Sequence, residues 1–226
     1  KEQIKDITAA ADKYLYDEKV GGYRLNTDFK EVKTDLGRLF GFAYGHKENG
    51  AVFCHMATMY ANALYKRGFI KEGYKVLKNL LDSAMDFENS IMYPGIPEYF
   101  DNDGRGLYAY LTGAASWYML TMITEVFGVR GELGNLVIKP ALLPEQFDKD
   151  GKAAIKLNFS GRTLKITIHA DIDNIQDNNG VYNKIIRVEC DGNELESADL
   201  KKVVIMKKRI EEMSCGRCHE IDVFIK

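Results

Sequence analysis

The hydrophobic pattern of this 226-residue chain changes once, close to Gly134. Before that point apolar residues recur at helical spacing, and after it they alternate with polar residues as in a strand. A chain whose helices come first and whose strands come second does not predict alternating βαβ units. We therefore predict an α+β protein of two parts, with helices over residues 1–134 and an antiparallel β-sandwich over residues 135–226.

The first part contains three clear helical segments after an amphipathic start. They cover residues 52–67, 70–86 and 112–127. Gly68 and Gly128 end the first and the last of them, because glycine adopts the left-handed backbone angles that close a helix. The short connection at Gly68 predicts an antiparallel pair of helices. Residues 23–45 and 88–111 are rich in turn-forming residues and are predicted to be irregular.

The second part contains six predicted strands. They are Leu136–Ile138, Ile155–Phe159, Leu164–Ile168, Ile185–Val188, Val203–Ile205 and Ile221–Ile225. Turn signals stand between them at residues 178–180 and 191–193, where asparagine or aspartate adjoins glycine. Short strands at this spacing favour a sandwich.

Charge and hydropathy argue against two classes of partner. The net charge is −2, from 31 basic and 33 acidic side chains, which argues against a broad nucleic-acid-binding face. No apolar run reaches the length of a membrane span and no secretory signal is visible, so we expect a cytoplasmic protein without a membrane partner. The chain starts at Lys1 without an initiator methionine, and we expect a fragment or a processed product.

The four cysteines offer a possible cofactor motif. Cys215, Cys218 and His219 form the C-x-x-C-H pattern of covalent haem attachment, and a zinc half-site is a second interpretation. The motif lies among predicted strands and no second cysteine pair follows it. We expect a turn in a reduced protein, with no metal and no cofactor.

The stretch from His46 to Met56 carries the most concentrated chemistry. Lys47 and Glu48 precede an Asn-Gly turn, and His55 follows in the first turn of a predicted helix. A loop can direct charged side chains into a cavity, and a helix N-terminus favours anions. This pattern predicts a site for a polar, partly anionic substrate. The alternative is a helix start with solvated charges.

A second helix start shows the same potential. Thr112 is placed to cap the helix that follows, and Gly113, Ala114 and Ala115 are small. Small side chains leave the backbone N–H groups open to an oxyanion. Close helix packing, which also requires small residues, is the alternative.

Together these motifs resemble glycoside hydrolase family 94, which contains the cellobiose, chitobiose and 1,2-β-oligoglucan phosphorylases. The run from Lys47 to His55 is similar to that family's Lys-Glu-Asn-Gly-Gly-x-Phe-x-His signature. Further matches follow in the family's order over Tyr93–Phe100, Gly104–Trp117 and Phe127–Pro140. The resemblance covers roughly residues 22–145 and implies the C-terminal part of an (α/α)₆ barrel followed by a β-sandwich.

The resemblance also implies roles for particular residues. His55, Thr112, Gly113 and the position of Ala114 correspond to the phosphate-binding residues of the family. Lys47 and Glu48 correspond to its sugar-contacting pair, and Glu98 stands where relatives place a polar residue near the sugar. Ala114 departs from the family, which has a hydroxyl residue there. The general-acid aspartate and a phosphate-binding arginine of the family are expected upstream, and this chain offers no candidate for either.

Two functions from different classes follow. The first is part of an inverting phosphorylase that cleaves β-linked gluco-oligosaccharides, most like the 1,2-β-oligoglucan group, with inorganic phosphate as co-substrate and α-glucose 1-phosphate as product. On this hypothesis the chain is inactive alone and needs the N-terminal part of the same protein; a homodimer stays open. The second is a non-catalytic carbohydrate-binding or interaction fragment.

Overall fold

The computed structural model describes residues 1–92, 95–109, 112–170, 184–195 and 200–226. It contains two compact units, Lys1–Thr121 and Met122–Lys226. Tyr93 and Leu111, which belong to the family-like motifs, and the predicted turn at residues 178–180 lie outside the described residues.

The first unit is mainly helical, as predicted. Its elements are α1 Glu2–Tyr14, β1 Tyr16–Asp17, β2 Gly22–Tyr23, a 3₁₀ helix Thr34–Gly41, β3 Val52–Phe53, α2 Cys54–Lys66, α3 Ile70–Met85, α4 Phe87–Ser90, β4 Tyr99–Phe100, β5 Gly106–Leu107 and α5 Gly113–Thr121. The predicted helices at 52–67 and 70–86 are confirmed as α2 and α3, with small differences at their ends.

The connection between α2 and α3 is closed by Gly68, as the sequence predicts. Gly68 has a φ of +78°. Its N–H donates to the carbonyl of Tyr65, and the N–H of Phe69 donates to the carbonyl of Leu64, both at 2.9 Å. This is the Schellman arrangement, which satisfies the last carbonyls of the helix. The two helices pack closely after this connection, because Gly73 of α3 lies against the Tyr65 ring of α2.

A small antiparallel sheet of β3, β4 and β5 stands in front of α2, and it corrects the predicted start of that helix. Val52 pairs with Phe100, and Tyr99 pairs with Leu107. Short apolar runs do not distinguish helix from strand, and here pairing with β4 decides. The core of the unit is built on this sheet; it includes Val20, Val52, Cys54, Leu80, Ala84, Phe100 and Ala114.

The second unit begins with a π-helical turn, Met122–Val126, and is otherwise mainly strands. Its further elements are β6 Val129–Glu132, β7 Asn135–Ile138, a 3₁₀ turn Pro144–Gln146, β8 Lys152–Phe159, β9 Arg162–Ala170, β10 Ile185–Cys190, β11 Asn193–Glu194, β12 Val203–Ile205, α6 Lys207–Glu212 and β13 Cys218–Ile225. All six predicted strands are confirmed. The first sheet has the order β11-β10-β13-β9-β8, and the second has the order β12-β7-β6.

The prediction that all strands pair antiparallel is wrong for one pair. β9 and β13 run parallel over eight residue pairs, from Thr163 with Cys218 to Ala170 with Ile225. Alternation marks which face of a strand is buried and carries no information on the direction of its neighbour. Ile166, Ile168, Ile221 and Val223 on the inner face of this pair are fully buried.

The predicted boundary after Gly134 falls inside a hairpin. β6 and β7 pair around Leu133 and Gly134, whose φ angles are +52° and +85°. Two consecutive left-handed residues are typical of a type I′ turn, which suits the twist of a hairpin. The compact units instead divide between Thr121 and Met122. The assignment of these parts to a catalytic barrel and a β-sandwich stays a prediction.

Within the described residues, the structure contains no helix long and apolar enough to cross a membrane.

Candidate functional site

Lys47 and Glu98 form a largely buried ion pair in the first unit. Lys47 Nζ lies 2.8 Å from Glu98 Oε2, and the two side chains are 13% and 20% exposed. Lys47 adopts left-handed backbone angles, with a φ of +48°, which non-glycine residues rarely do. Glu98 is fixed through its backbone, because its carbonyl accepts from Cys54 N at 2.9 Å and its N–H donates to the Leu107 carbonyl. The predicted sugar contacts at positions 47 and 98 are thus brought together.

Tyrosine rings surround the ammonium group of Lys47. Its Nζ atom lies 3.4 Å from the ring centroid of Tyr108 and 5.9 Å from that of Tyr99. The hydrogen bond to Glu98 raises the pKa of Lys47 above its ordinary value, against the opposing effect of burial. Lys47 is therefore a fixed positive charge at neutral pH. No sequence pattern predicts that Tyr108 takes part.

Glu48 points to a different neighbour. Its Oε1 atom lies 3.3 Å from an Arg38 guanidinium nitrogen. Its Oε2 atom is buried and has no hydrogen-bond partner within the described part of the chain. The structure therefore does not bring Glu48 into the Lys47–Glu98 pair. It leaves one carboxylate oxygen with unused capacity to accept a hydrogen bond.

His55 and the start of α5 lie in direct contact. A Cβ atom on Gly113 would lie 2.5 Å from His55 Cε1 and 2.6 Å from Nδ1, so the imidazole covers the Cα atom of Gly113. The Trp117 ring is 6.0 Å from the His55 ring, centroid to centroid. The Nε2 atom of His55 is buried and has no hydrogen-bond partner among the described residues. The predicted convergence of His55 with this helix start is thus present in the structure.

Thr112 and Ala114 play distinct parts at this helix start. The Ala114 N–H donates to Thr112 Oγ1 at 3.3 Å, which is the predicted capping interaction. The Ala114 side chain is fully buried in the core with Val52, Leu80 and Phe100. The Ala114 side chain is therefore not available to a ligand. Gly113 and the Thr112 hydroxyl are the accessible members of the group.

An apolar cavity of about 700 Å³ also belongs to the first unit. Its lining residues do not include Lys47, His55, Glu98 or Gly113. Tyr14, Tyr23, Phe53, Met56 and Tyr60 are among the residues that line it. Its lining is mainly apolar. The candidate site is defined by its polar side chains rather than by this cavity.

The C-x-x-C-H motif of the second unit is a turn and the start of β13. Cys215 and Cys218 are free and exposed. The His219 ring is buried, with Nδ1 2.7 Å from Asp191 Oδ2 and Nε2 3.0 Å from the Ser214 carbonyl oxygen. Because both ring nitrogens are engaged, His219 has none left for iron. The described residues contain no cluster of three metal-binding side chains. The expectation of no cofactor stays a prediction.

Comparison with known proteins places the first unit in a family. Residues 1–128 match the family described as "Glycosyl hydrolase 94 superfamily, catalytic domain". The match covers more than half of the 226 residues.

Three individual proteins are similar to the chain. Cellobionic acid phosphorylase of Neurospora crassa is 25% identical over 180 residues, which are 74% of this chain and 22% of that protein. Solabiose phosphorylase of Paenibacillus borealis is 26% identical over 164 residues, 67% of this chain and 20% of that protein. Cyclic beta-(1,2)-glucan synthase NdvB of Rhizobium meliloti is 25% identical over 150 residues, 62% of this chain and 5% of that protein. The chain spans about a fifth of the length of the first two.

Proposed function

The chain belongs to the glycosyl hydrolase 94 superfamily, and from this premise we propose that it forms the phosphate- and sugar-binding wall of an inverting glycoside phosphorylase. The reaction is the cleavage of a β-linked gluco-oligosaccharide by inorganic phosphate to give α-glucose 1-phosphate. Two of the three relatives are phosphorylases by name, and the third is a cyclic beta-(1,2)-glucan synthase. A β-1,2-linked glucan is the first substrate to test.

The observation that carries this proposal is the buried, unpartnered Nε2 atom of His55 above Gly113. A buried polar atom without a partner is costly, and a ligand that supplies the partner recovers that cost. A phosphate oxygen is a suitable partner for an imidazole N–H, because charge-assisted hydrogen bonds are the stronger ones. The Thr112 hydroxyl and the N-terminus of α5 add further donors beside it.

The Lys47–Glu98 pair supports a neighbouring sugar site. An ammonium group offers three donors and a carboxylate accepts several hydrogen bonds, so together they match vicinal sugar hydroxyls. The Glu98 carbonyl bonds to Cys54, the residue before His55, which ties the sugar contact to the phosphate contact through one backbone hydrogen bond. A site built to bind a hydroxyl discriminates strongly against an analogue that lacks it.

The chemistry divides between this chain and the remainder of the protein. A phosphate oxygen attacks the anomeric carbon from the face opposite the glycosidic oxygen, so the β-linkage becomes an α-phosphate ester. A carboxylic acid protonates the departing oxygen, and the new sugar hydroxyl takes that proton. We propose that the acid comes from a part of the protein upstream of this chain. In this chain His55 and Gly113 hold the nucleophile, and Lys47 and Glu98 hold the sugar.

The alternative is a carbohydrate-binding protein without catalysis, and Ala114 is the observation that favours it. The family resemblance implies a hydroxyl residue at this position, whereas this chain has Ala114, whose side chain is buried in the core. Losing that hydroxyl weakens the phosphate contact unless Thr112 replaces it. A phosphorylase and a binding protein differ in one product, α-glucose 1-phosphate.

The test uses the complete polypeptide that contains this chain. The protein is incubated with β-1,2-, β-1,3- and β-1,4-linked glucose disaccharides and oligosaccharides, with and without inorganic phosphate, and α-glucose 1-phosphate is followed by ³¹P NMR. The proposal expects product from at least one substrate in the presence of phosphate, and formation slower by about 10²-fold or more with the His55→Ala variant at the same enzyme concentration. Saccharide binding without any phosphate-dependent product supports the alternative.

A further inference from the structure

We propose that Asn26 is a positioning residue, whose side-chain amide fixes the turn that directs Lys47 toward the saccharide. This inference rests on the proposed function, because it concerns the sugar site of that reaction. Asn26 lies in the segment after β2, and none of its side-chain hydrogen bonds reaches Lys47 or Glu98. It acts through the loop of residues 44–50.

Two side-chain hydrogen bonds of Asn26 reach the end of this loop, and a third runs from Nδ2 to the Thr27 carbonyl at 2.9 Å. Its Oδ1 atom accepts from Gly50 N at 2.8 Å, and its Nδ2 atom donates to Asn49 Oδ1 at 3.3 Å. Asn49 in turn donates from Nδ2 to the Phe42 carbonyl at 2.9 Å and is 7% exposed. The backbone donor at Gly50 fixes the orientation of the Asn26 amide, and that orientation fixes the amide of Asn49. The two amides form one chain of hydrogen bonds.

The loop needs this support because its backbone is unfavourable on its own. Lys47 has a φ of +48°, between Gly45 at +95° and Gly50 at +73°. A left-handed conformation is unfavourable for a non-glycine residue and persists where the surrounding contacts hold it in place. The loop is closed by a hydrogen bond from Gly45 N to the Asn49 carbonyl at 2.6 Å. Asn26 therefore holds the residue that closes the turn containing Lys47.

Other contacts also hold this loop, so Asn26 is not needed to keep the loop folded. Arg24 Nη1 donates to the Gly50 carbonyl at 2.6 Å and is paired with Asp17. Asn102 Nδ2 donates to the Tyr44 carbonyl at 2.9 Å. These contacts do not involve the Asn26 side chain, so we expect the unit to stay folded when that side chain is removed. What changes is the precision with which Lys47 is directed.

The phosphate contacts provide an internal reference. His55 stands on α2 and Gly113 on α5, and no hydrogen bond of Asn26 reaches either residue. Removing the Asn26 side chain should therefore affect the saccharide and spare the phosphate. General destabilisation of the unit would affect both.

The experiment compares Asn26→Ala, Asn26→Asp and a matched control, Asn79→Ala, in the complete polypeptide. Asn79 also donates a side-chain hydrogen bond within this unit, to Tyr16 Oη at 3.2 Å, and that bond does not involve the loop. Asn26→Asp keeps the acceptor for Gly50 N and replaces the donor to Asn49 with a repelling oxygen. Saccharide affinity is measured by calorimetry without phosphate, and kcat and both KM values are measured with phosphate.

We expect Asn26→Ala to lower kcat/KM for the saccharide by about 10- to 100-fold, as misplacement of a binding group by about 1 Å does. The phosphate KM of Asn26→Ala should stay within about twofold of the wild-type value, and its saccharide affinity should fall. The saccharide affinity of Asn26→Asp should lie between those of Asn26→Ala and the wild type. Unchanged saccharide affinity in Asn26→Ala, or equal loss in Asn79→Ala, overturns the inference. A wild-type protein that binds saccharide without phosphorolysis contradicts the proposed function alone, whereas one that binds no saccharide contradicts both.

Discussion

The imidazole of His55 covers the Cα atom of Gly113 so closely that a Cβ atom there would lie 2.5 Å from His55 Cε1. A side chain at position 113 and the observed position of the ring therefore exclude each other. This contact joins the first turn of α2 to the start of α5, and it makes glycine at position 113 a requirement of the site.

Gly113→Ala should displace the His55 ring and weaken phosphate use. We expect kcat/KM for phosphate to fall by about tenfold or more, because a binding group moves out of reach. The melting temperature should change little, since the far end of one side chain must move. Gly41→Ala is the matched control, because a Cβ atom there meets no other atom within 4 Å. Normal phosphate kinetics in Gly113→Ala would show that the ring position is unimportant.

Glu98→Gln should lower the pKa of Lys47 toward its ordinary value. The folded-state pKa of Lys47 is raised, chiefly by its hydrogen bond to Glu98. The stabilisation from this pair is therefore complete below the unfolded-state pKa of about 10.4 and is lost as the pH rises through the higher folded-state value. The Lys47 pKa can be measured from ¹³Cε chemical shifts. Glu88→Gln, an exposed substitution on α4, should leave it unchanged; an unchanged value in Glu98→Gln would contradict the pairing.

Asp191→Asn should destabilise the second unit at neutral pH. Burial raises the pKa of Asp191, but hydrogen bonds from His219 and from Glu220 N, with the nearby charges, outweigh it and leave the pKa lowered. The stabilisation of the folded state by the Asp191 carboxylate is present above the unfolded-state pKa of about 3.9. It is lost as the pH falls through the lower folded-state value.

Urea unfolding should therefore show a loss of about 1.5–3 kcal/mol for Asp191→Asn at pH 7, as for other hydrogen bonds to charged groups, and a smaller loss near pH 3. Asp150→Asn is the control, because no hydrogen bond of the Asp150 side chain is present in the described structure. A loss that is the same at both pH values would contradict the role of the carboxylate charge.

Ile166→Ala should destabilise the second unit far more than Ile186→Ala. Ile166 is fully buried on β9, whereas Ile186 on β10 is 55% exposed. A buried isoleucine truncated to alanine typically costs about 2–5 kcal/mol, because transfer and cavity terms add. The exposed one should cost well under half of that. Similar losses, measured by chemical denaturation, would place the core elsewhere.

Much of the fold could be predicted from the sequence because burial imposes a period on each element. The stripes of α2 and α3 and the alternation of all six predicted strands gave their positions. The direction of pairing between β9 and β13 has no such signal, since inward and outward residues alternate in both parallel and antiparallel strands. The strand at Val52 was predicted as helix because its partner, Phe100, is distant in sequence.

The residue types of the candidate site could be predicted from the sequence, whereas most of the contacts among them could not. Glycine at 113 and histidine at 55 stand at helix starts, where sequence patterns are informative. The Lys47–Glu98 pair joins residues 51 positions apart, so only the folded sheet brings them together. The support from Asn26 and the Tyr108 ring near Lys47 depends on loops, whose paths follow tertiary contacts rather than periodicity.

The central claim is that His55 holds the attacking phosphate, and the most direct measurement is the phosphate dependence of saccharide cleavage in His55→Ala. Met56→Ala is the matched control, because Met56 is the next residue of the same helix and is 46% exposed. We expect His55→Ala to raise the phosphate KM and to lower kcat/KM for phosphate by about 10²-fold or more, as loss of one preorganised donor does. Met56→Ala should stay within about twofold of the wild type. Unchanged phosphate kinetics in His55→Ala would contradict the account.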